Sequence, residues 1–241
     1  MVIWRDMSLL DDVLSANGGL ARWNSLSRFT LHLSISGKLF DSVGRAGEFK
    51  DVTAEGATRT QSIRFTGIAG GKYSGSFQPD AITVEAMHGE VLRTWRDPSP
   101  AFPQSDPAVL ADELQLVLFC GVAIWNDLVG PFLLARPDVV VEELPPWEER
   151  KESWRRLRAR FPPSVITLAP EQVLYFDVNG LLRRTDHDLF GMKVAQYSWA
   201  HGSFGGVIAP TLRRVHMLQA NGSVIAKPVL MDVEIFDAFF E

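Results

Sequence analysis

The stretch Glu171–Met217 constrains this chain more than any other. Two β-rich runs, Val173–Val178 and Leu181–Asp186, flank Asn179-Gly180. Asn-Gly tolerates φ > 0 at both central turn positions, so it predicts a two-residue hairpin whose twist matches its strands. Two further strand-like runs follow, Lys193–Ala200 and Gly206–Leu218. The region therefore reads as an antiparallel meander.

The rest of the chain extends this pattern. Phe29, Leu31, Leu33 and Ile35 alternate with Thr30, His32, Ser34 and Ser36, the signature of a half-buried antiparallel strand. Shorter strands are expected at Glu48–Ala54, Thr58–Thr66, Lys72–Phe77, Ala81–Met87 and Val91–Arg96, with a tight turn at His88-Gly89 and a stop at Asp97-Pro98-Ser99-Pro100. Val139–Leu144, Val165–Leu168 and Val229–Phe236 read as strands too, the last after an Asn221-Gly222 turn and before a short tail, Asp237–Glu241. Trp147–Phe161 has helix-forming composition. Read with period two, however, it puts Leu157, Ala159 and Phe161 on one face, and consistency with its neighbours favours a hairpin turning near Glu149–Ser153.

Two helices interrupt the strands. Ser8 and Asp11 resemble a capping box before Leu9, Leu10, Val13 and Leu14, and Asn17-Gly18-Gly19 ends that helix. Asp106-Pro107 starts a second helix, expected to reach Ile124 and to end at Asn126 to Gly130-Pro131. Its second half is apolar nearly all round, which predicts burial. The fold class is therefore mainly β: about ten or eleven antiparallel strands in one curved sheet, an open half-barrel. A short N-terminal helix precedes it and a buried middle helix crosses its concave face. The whole chain, 1–241, reads as one domain.

Composition limits function. The chain is 46% hydrophobic and 22% charged, an ordinary globular balance, and its net charge of −5 argues against a nucleic-acid partner. The single cysteine, Cys120, sits in an apolar run and reads as an inert buried thiol. No secretory leader is read at the N-terminus, and the apolar run Leu114–Trp125 is too short for a membrane span, so the cytoplasm is the expected compartment. His32, His88, His187, His201 and His216 are scattered without metal-ligand spacing. No phosphate loop or nucleophile elbow occurs, so neither metal nor cofactor is expected.

Several residue groups, Val141-Glu142-Glu143-Leu144, Trp147, Trp154-Arg155-Arg156-Leu157, Phe161-Pro162, Tyr175-Phe176-Asp177, Gly180-Leu181-Leu182-Arg183-Arg184, Asp186, Pro210-Thr211 and Arg213-Arg214-Val215, resemble a group of uncharacterised bacterial proteins of similar length. Their architecture is similar to the open β-barrel of the lipoprotein carriers LolA and LolB and the violacein-pathway enzyme VioE. This resemblance implies an apolar pocket between the concave sheet face and the helices. It holds acyl chains in the carriers and a reactive indole-type intermediate in VioE. The chain differs from the carriers in showing neither a signal sequence nor a lipobox cysteine.

Candidate site residues come from the meander. Arg183-Arg184 and Arg213-Arg214 lie on strands, so one arginine of each pair faces inward, where it needs a carboxylate such as Asp186 or Glu234, or an anionic ligand. Surface ion-pair ladders are the alternative. Tyr175, Tyr197 and Trp199 either line the pocket or pack the core. Leu31, Leu33, Ile35, Phe65, Val84, Leu157, Phe161, Tyr175 and Tyr197 together supply more apolar surface than one helix covers, which predicts a cavity. Three functions fit. One is binding of a small hydrophobic or amphipathic ligand with a polar or anionic end. The second is an enzyme of aromatic or secondary metabolism using the same pocket. The third is a non-catalytic interaction subunit with Ile235–Glu241 as its contact; a homodimer is left open.

Overall fold

The computed structural model describes residues 8–98 and 106–241. The leader reading at the N-terminus and the Ser99-Pro100 stop lie outside them. Thirteen strands form one antiparallel sheet: β1 (Arg28–Ser36), β2 (Phe49–Ala57), β3 (Ile63–Gly67), β4 (Tyr73–Gln78), β5 (Ala81–Ala86), β6 (Val91–Arg96), β7 (Val140–Glu149), β8 (Glu152–Arg160), β9 (Glu171–Phe176), β10 (Leu182–Leu189), β11 (Met192–Phe204), β12 (Val207–Met217) and β13 (Met231–Phe240). Their order is β6-β5-β4-β3-β2-β1-β13-β12-β11-β10-β9-β8-β7, so two meanders meet at the β1–β13 seam and the edges β6 and β7 leave the barrel unclosed. The count exceeds the expected ten or eleven because the short edge strands all join the one ladder.

Local chemistry explains most of these elements. In β1, exposure alternates residue by residue and Phe29, Leu31, Leu33 and Ile35 are fully buried. Trp147–Phe161 is extended as expected, and its turn, Arg150-Lys151, has φ of 49° and 71°, the two-residue geometry anticipated instead at Asn179-Gly180. There only Gly180 is left-handed, at φ 76°. Asp177 holds a three-residue loop: its N–H bonds to Leu181 O at 3.0 Å, and its Oδ1 accepts from Asn179 N at 2.9 Å and Leu181 N at 3.1 Å.

Other expectations are corrected. Val165–Leu168 is not a strand, because its polar backbone is taken by side chains: Ile166 O accepts from Gln61 Nε2 at 2.7 Å and Asn126 Nδ2 at 2.9 Å. Asp237–Phe240 is no tail but the end of β13, paired with Phe29–His32. The N-terminal helix α1 (Leu9–Ala16) carries the expected Ser8/Asp11 capping box and is followed by a short helix, α2 (Gly19–Asn24). Two further short helical segments are α3 (Lys38–Ser42) and α4 (Ile68–Gly71).

The middle helix, α5, runs Glu113–Leu133, nine residues beyond the expected Ile124. Asp106 caps a 3-10 turn over Pro107–Ala111, and Asp112 then caps α5 by accepting from Leu114 N and Gln115 N. Gly130-Pro131 does not end it: Pro131 has no N–H to give the Asp127 carbonyl, and Arg213 Nη2 donates to that carbonyl instead at 3.4 Å. At 21 residues α5 is long and apolar enough to cross a membrane, but most of it is buried against the sheet. Its first half locks onto β3–β6 through close approaches. A Cβ on Gly75 would lie 2.4 Å from Val117 Cγ2, and one on Gly121 would lie 2.6 Å from Phe77 Cβ. Fully burying each Leu, Ile or Phe of this interface contributes about 1.5–3 kcal/mol.

Candidate functional site

The second half of α5 covers the other meander less completely. Between Ala123–Leu133, the segment after β8 and strands β9–β11 lies a cavity of about 40 Å³ walled by Leu133, Phe161, Leu168, Leu174, Phe176 and Leu182. Its polar lining is Asn126, Asp127, Thr167, Gln172, Thr185, His187 and Gln196.

Strand periodicity brings these groups together. Thr185 and His187 share one face of β10, Gln196 and Ser198 one face of β11, and Arg213 lies opposite Ser198 on β12. This is the face that meets α5: Gln196 Nε2 donates to Asp127 Oδ1 at 2.9 Å, Arg213 Nε stands 3.6 Å from Asp127 Oδ2, and Arg213 Nη2 donates to Asp127 O at 3.4 Å. That carbonyl is free because Pro131, four residues on, has no N–H to give it. Arg213 is 2% exposed and fully enclosed with a single carboxylate. Burial pushes the Asp127 carboxyl above its ordinary value, an effect the Arg213 charge and the Gln196 hydrogen bond only partly offset.

His187 is 9% exposed, and among the described residues neither ring nitrogen has a hydrogen-bond partner. Burial pulls its pKa down to about 4, so the ring is neutral at pH 7, one nitrogen a donor and the other an acceptor. Asp127 Oδ2 is likewise buried without a hydrogen bond.

The opposite parity gives the convex face a different cluster. Arg184 donates to both oxygens of Asp186 at 2.5 and 2.9 Å, to Glu149 Oε2 at 2.7 Å and to Tyr197 Oη at 3.2 Å. Tyr175 Oη donates to Asp186 at 2.7 Å, Tyr197 Oη to Glu149 at 2.6 Å. The guanidinium carbon lies 5.1–5.7 Å from the rings of Trp147, Tyr175 and Tyr197. Burial alone would raise Glu149; the Tyr197 and Trp147 hydrogen bonds and the Arg184 charge hold it below the usual range. Burial beside Asp186 pushes Tyr175 up to about 12.

The sequence-derived candidates therefore separate. Arg184, Asp186, Tyr175 and Tyr197 form the convex network. Trp199 stacks on Tyr197 at 6.2 Å and takes the Arg214 cation, which also pairs with Asp232 at 2.8 Å. Arg183 stands 3.9 Å from Asp177. Of the four arginines, Arg213 alone meets α5. Of the anticipated cavity residues, Phe161 lines it, while Leu31, Leu33, Ile35, Phe65 and Val84 are packed core. Asp127, His187 and Gln196 were missed. The available signal was their polarity at positions that helix and strand periods turn inward.

No family model and no curated protein matches the chain. A LolA superfamily protein from Nitrosomonas europaea superposes with a TM-score of 0.52 at 10% identity, over 95% of this chain and 90% of that one. A putative outer membrane lipoprotein-sorting protein domain from Vibrio parahaemolyticus gives 0.55 at 9% identity, over 97% and 91%. The fold is LolA-like. At such identities the likeness extends to the unclosed sheet crossed by a helix, and no side chain of the cavity is carried over.

Proposed function

We propose that this chain binds a small apolar or amphipathic molecule under the second half of α5. The ligand's body lies against Leu174, Phe176 and Leu182 and its polar end toward Asp127, His187 and Arg213. The observation that carries this reading is the cavity itself: an apolar wall ending in buried polar atoms without partners. The LolA-like fold, shared with a putative lipoprotein-sorting domain, supports it.

At about 40 Å³ the cavity is far below the roughly 300–1,000 Å³ of ligand sites, so binding requires α5 to yield. The helix is built to yield at one end. Its first half is pinned by Gly75 and Gly121, whereas Gly130 meets nothing within 4 Å and Pro131 breaks the backbone ladder beside the cavity. Displacing the last turns opens the space without unpacking β3–β6.

Titration with N-phenyl-1-naphthylamine, an uncharged environment-sensitive dye, tests the proposal. A saturable fluorescence gain that Ala123→Phe abolishes is expected, because Ala123 lines the cavity. A folded parent protein that gives no saturable signal would rule it out. Asp127 and neutral His187 in one cavity also have the composition of a general acid–base pair. This keeps catalysis as the second reading, distinguished by chemical change of an added amphiphile under mass spectrometry.

A further inference from the structure

The polar end of the cavity has a definite electrical character. Asp127 lines it and stands 3.6 Å from Arg213, which is not part of the lining, so the two charges cancel, and His187 adds an uncharged ring. An anionic head group would have to take Arg213 from Asp127 and leave a buried carboxylate without its counter-charge. A cationic one would do the same to Arg213. What the cluster leaves over is one acceptor, Asp127 Oδ2, and the two nitrogens of His187, one donor and one acceptor. His187 lies diagonal to Gln196 on the β10–β11 ladder, and Gln196 holds Asp127, so these atoms border the same small volume.

We propose that this end of the cavity recognises an uncharged head group that both donates and accepts hydrogen bonds, a hydroxyl or primary amide on an apolar body. The inference rests on the reading of the cavity as a ligand site and sharpens it, replacing the anionic end expected from the arginine-rich sequence. A hydroxyl donates to Asp127 Oδ2 and accepts from His187. A primary amide has both functions as well. A methyl end satisfies neither atom, and a carboxylate meets the Asp127 charge. Gln196 acts as a positioning residue, since its amide fixes the carboxylate through Oδ1 and leaves Oδ2 without a hydrogen bond.

The test compares four probes of equal chain length, decan-1-ol, decanamide, decanoate and decylammonium, with decane as the headless reference. Each is titrated at pH 7 as a competitor of N-phenyl-1-naphthylamine on the full chain. The alcohol and amide should bind about tenfold or more tighter than either ion and than decane. In Asp127→Asn, with its fold verified by circular dichroism, Arg213 loses its counter-charge and the order should invert toward decanoate. In His187→Leu the alcohol should fall to the level of decane. The parent series needs no variant and so survives a variant that fails to fold. Equal binding of all five probes would overturn the head-group assignment and leave the apolar site standing. Tighter binding of decanoate to the parent would overturn it in favour of an anion. Failure of every probe and of the dye would overturn both, with water occupying the polar end.

Discussion

Two arginines, Arg184 and Arg213, are each 2% exposed, flank β11 from β10 and β12 opposite its adjacent residues Tyr197 and Ser198, and belong to two opposite faces. Arg184 is saturated: two carboxylates and a phenol take its N–H groups and three rings surround it. Arg213 has one carboxylate at 3.6 Å and one carbonyl at 3.4 Å, and its surroundings retain unpaired polar atoms. Burial alone does not mark a functional group. A saturated network fixes structure, whereas an incomplete one leaves room for something else.

The largest expected effect is on the saturated side. Arg184→Ala strands Glu149 and Asp186 and should cost roughly 3–5 kcal/mol in urea unfolding, with dye binding to the folded fraction unchanged. Altered dye affinity at unchanged stability would move the site to the convex face.

His187 provides the next. Its folded pKa of about 4 lies below the ordinary 6.5, so between these values the unfolded chain binds the proton and the folded chain does not. Stability should therefore fall as pH drops from about 6.5 to 4, by about 3 kcal/mol in all. The charged groups around the ring are Asp188 on its own strand, Asp127 on α5, and Glu171, Asp186 and Lys193 along the adjoining cleft. His187→Leu should remove this slope. An unchanged acid-stability profile in the variant would show that the ring is solvated.

The incomplete pair should be dispensable for folding. Asp127→Leu combined with Arg213→Met is expected to be neutral or to stabilise by about 1–4 kcal/mol, as replaced buried ion pairs often do, while abolishing head-group discrimination. A strong loss in the double variant would make Arg213 a structural residue like Arg184. The smallest effect separates the halves of α5: Gly130→Ala should stabilise by about 0.5–1 kcal/mol, whereas Gly121→Ala should destabilise, its Cβ meeting Phe77 at 2.6 Å. Thermal unfolding of the two variants checks the sign.

The architecture was legible where one physical signal dominated, as in the alternation of Phe29–Ser36 and the Ser8/Asp11 capping box of α1, whereas Asp106-Pro107 starts a 3-10 turn and Asp112 starts α5. It failed where a distant partner decided. Arg213 rescues the Asp127 carbonyl, so Pro131 does not stop the helix. Gln61 and Asn126 occupy Ile166, so an apolar run is not a strand. Alternation predicted that each arginine pair splits between faces. The pattern did not say which member faces the helix, because that depends on where each strand's register falls relative to α5. Asp127 was hidden in a stretch read as a helix end, and His187 among histidines with no mutual spacing.

The β1–β13 seam has a consequence for how the molecule comes into being. Every other strand pairs with a sequence neighbour, so each meander is assembled from contacts local in the chain, while the junction between them spans about two hundred residues (Phe29 opposite Phe240). During synthesis, the strands of β1–β6 emerge long before Met231–Phe240 exists to cover the open side of β1. For that interval β1 presents an unpaired, alternately apolar edge, the kind of surface that invites chaperones or pairing with another nascent chain. Arrest of translation before residue 231 should therefore yield an aggregation-prone intermediate rather than a smaller stable barrel.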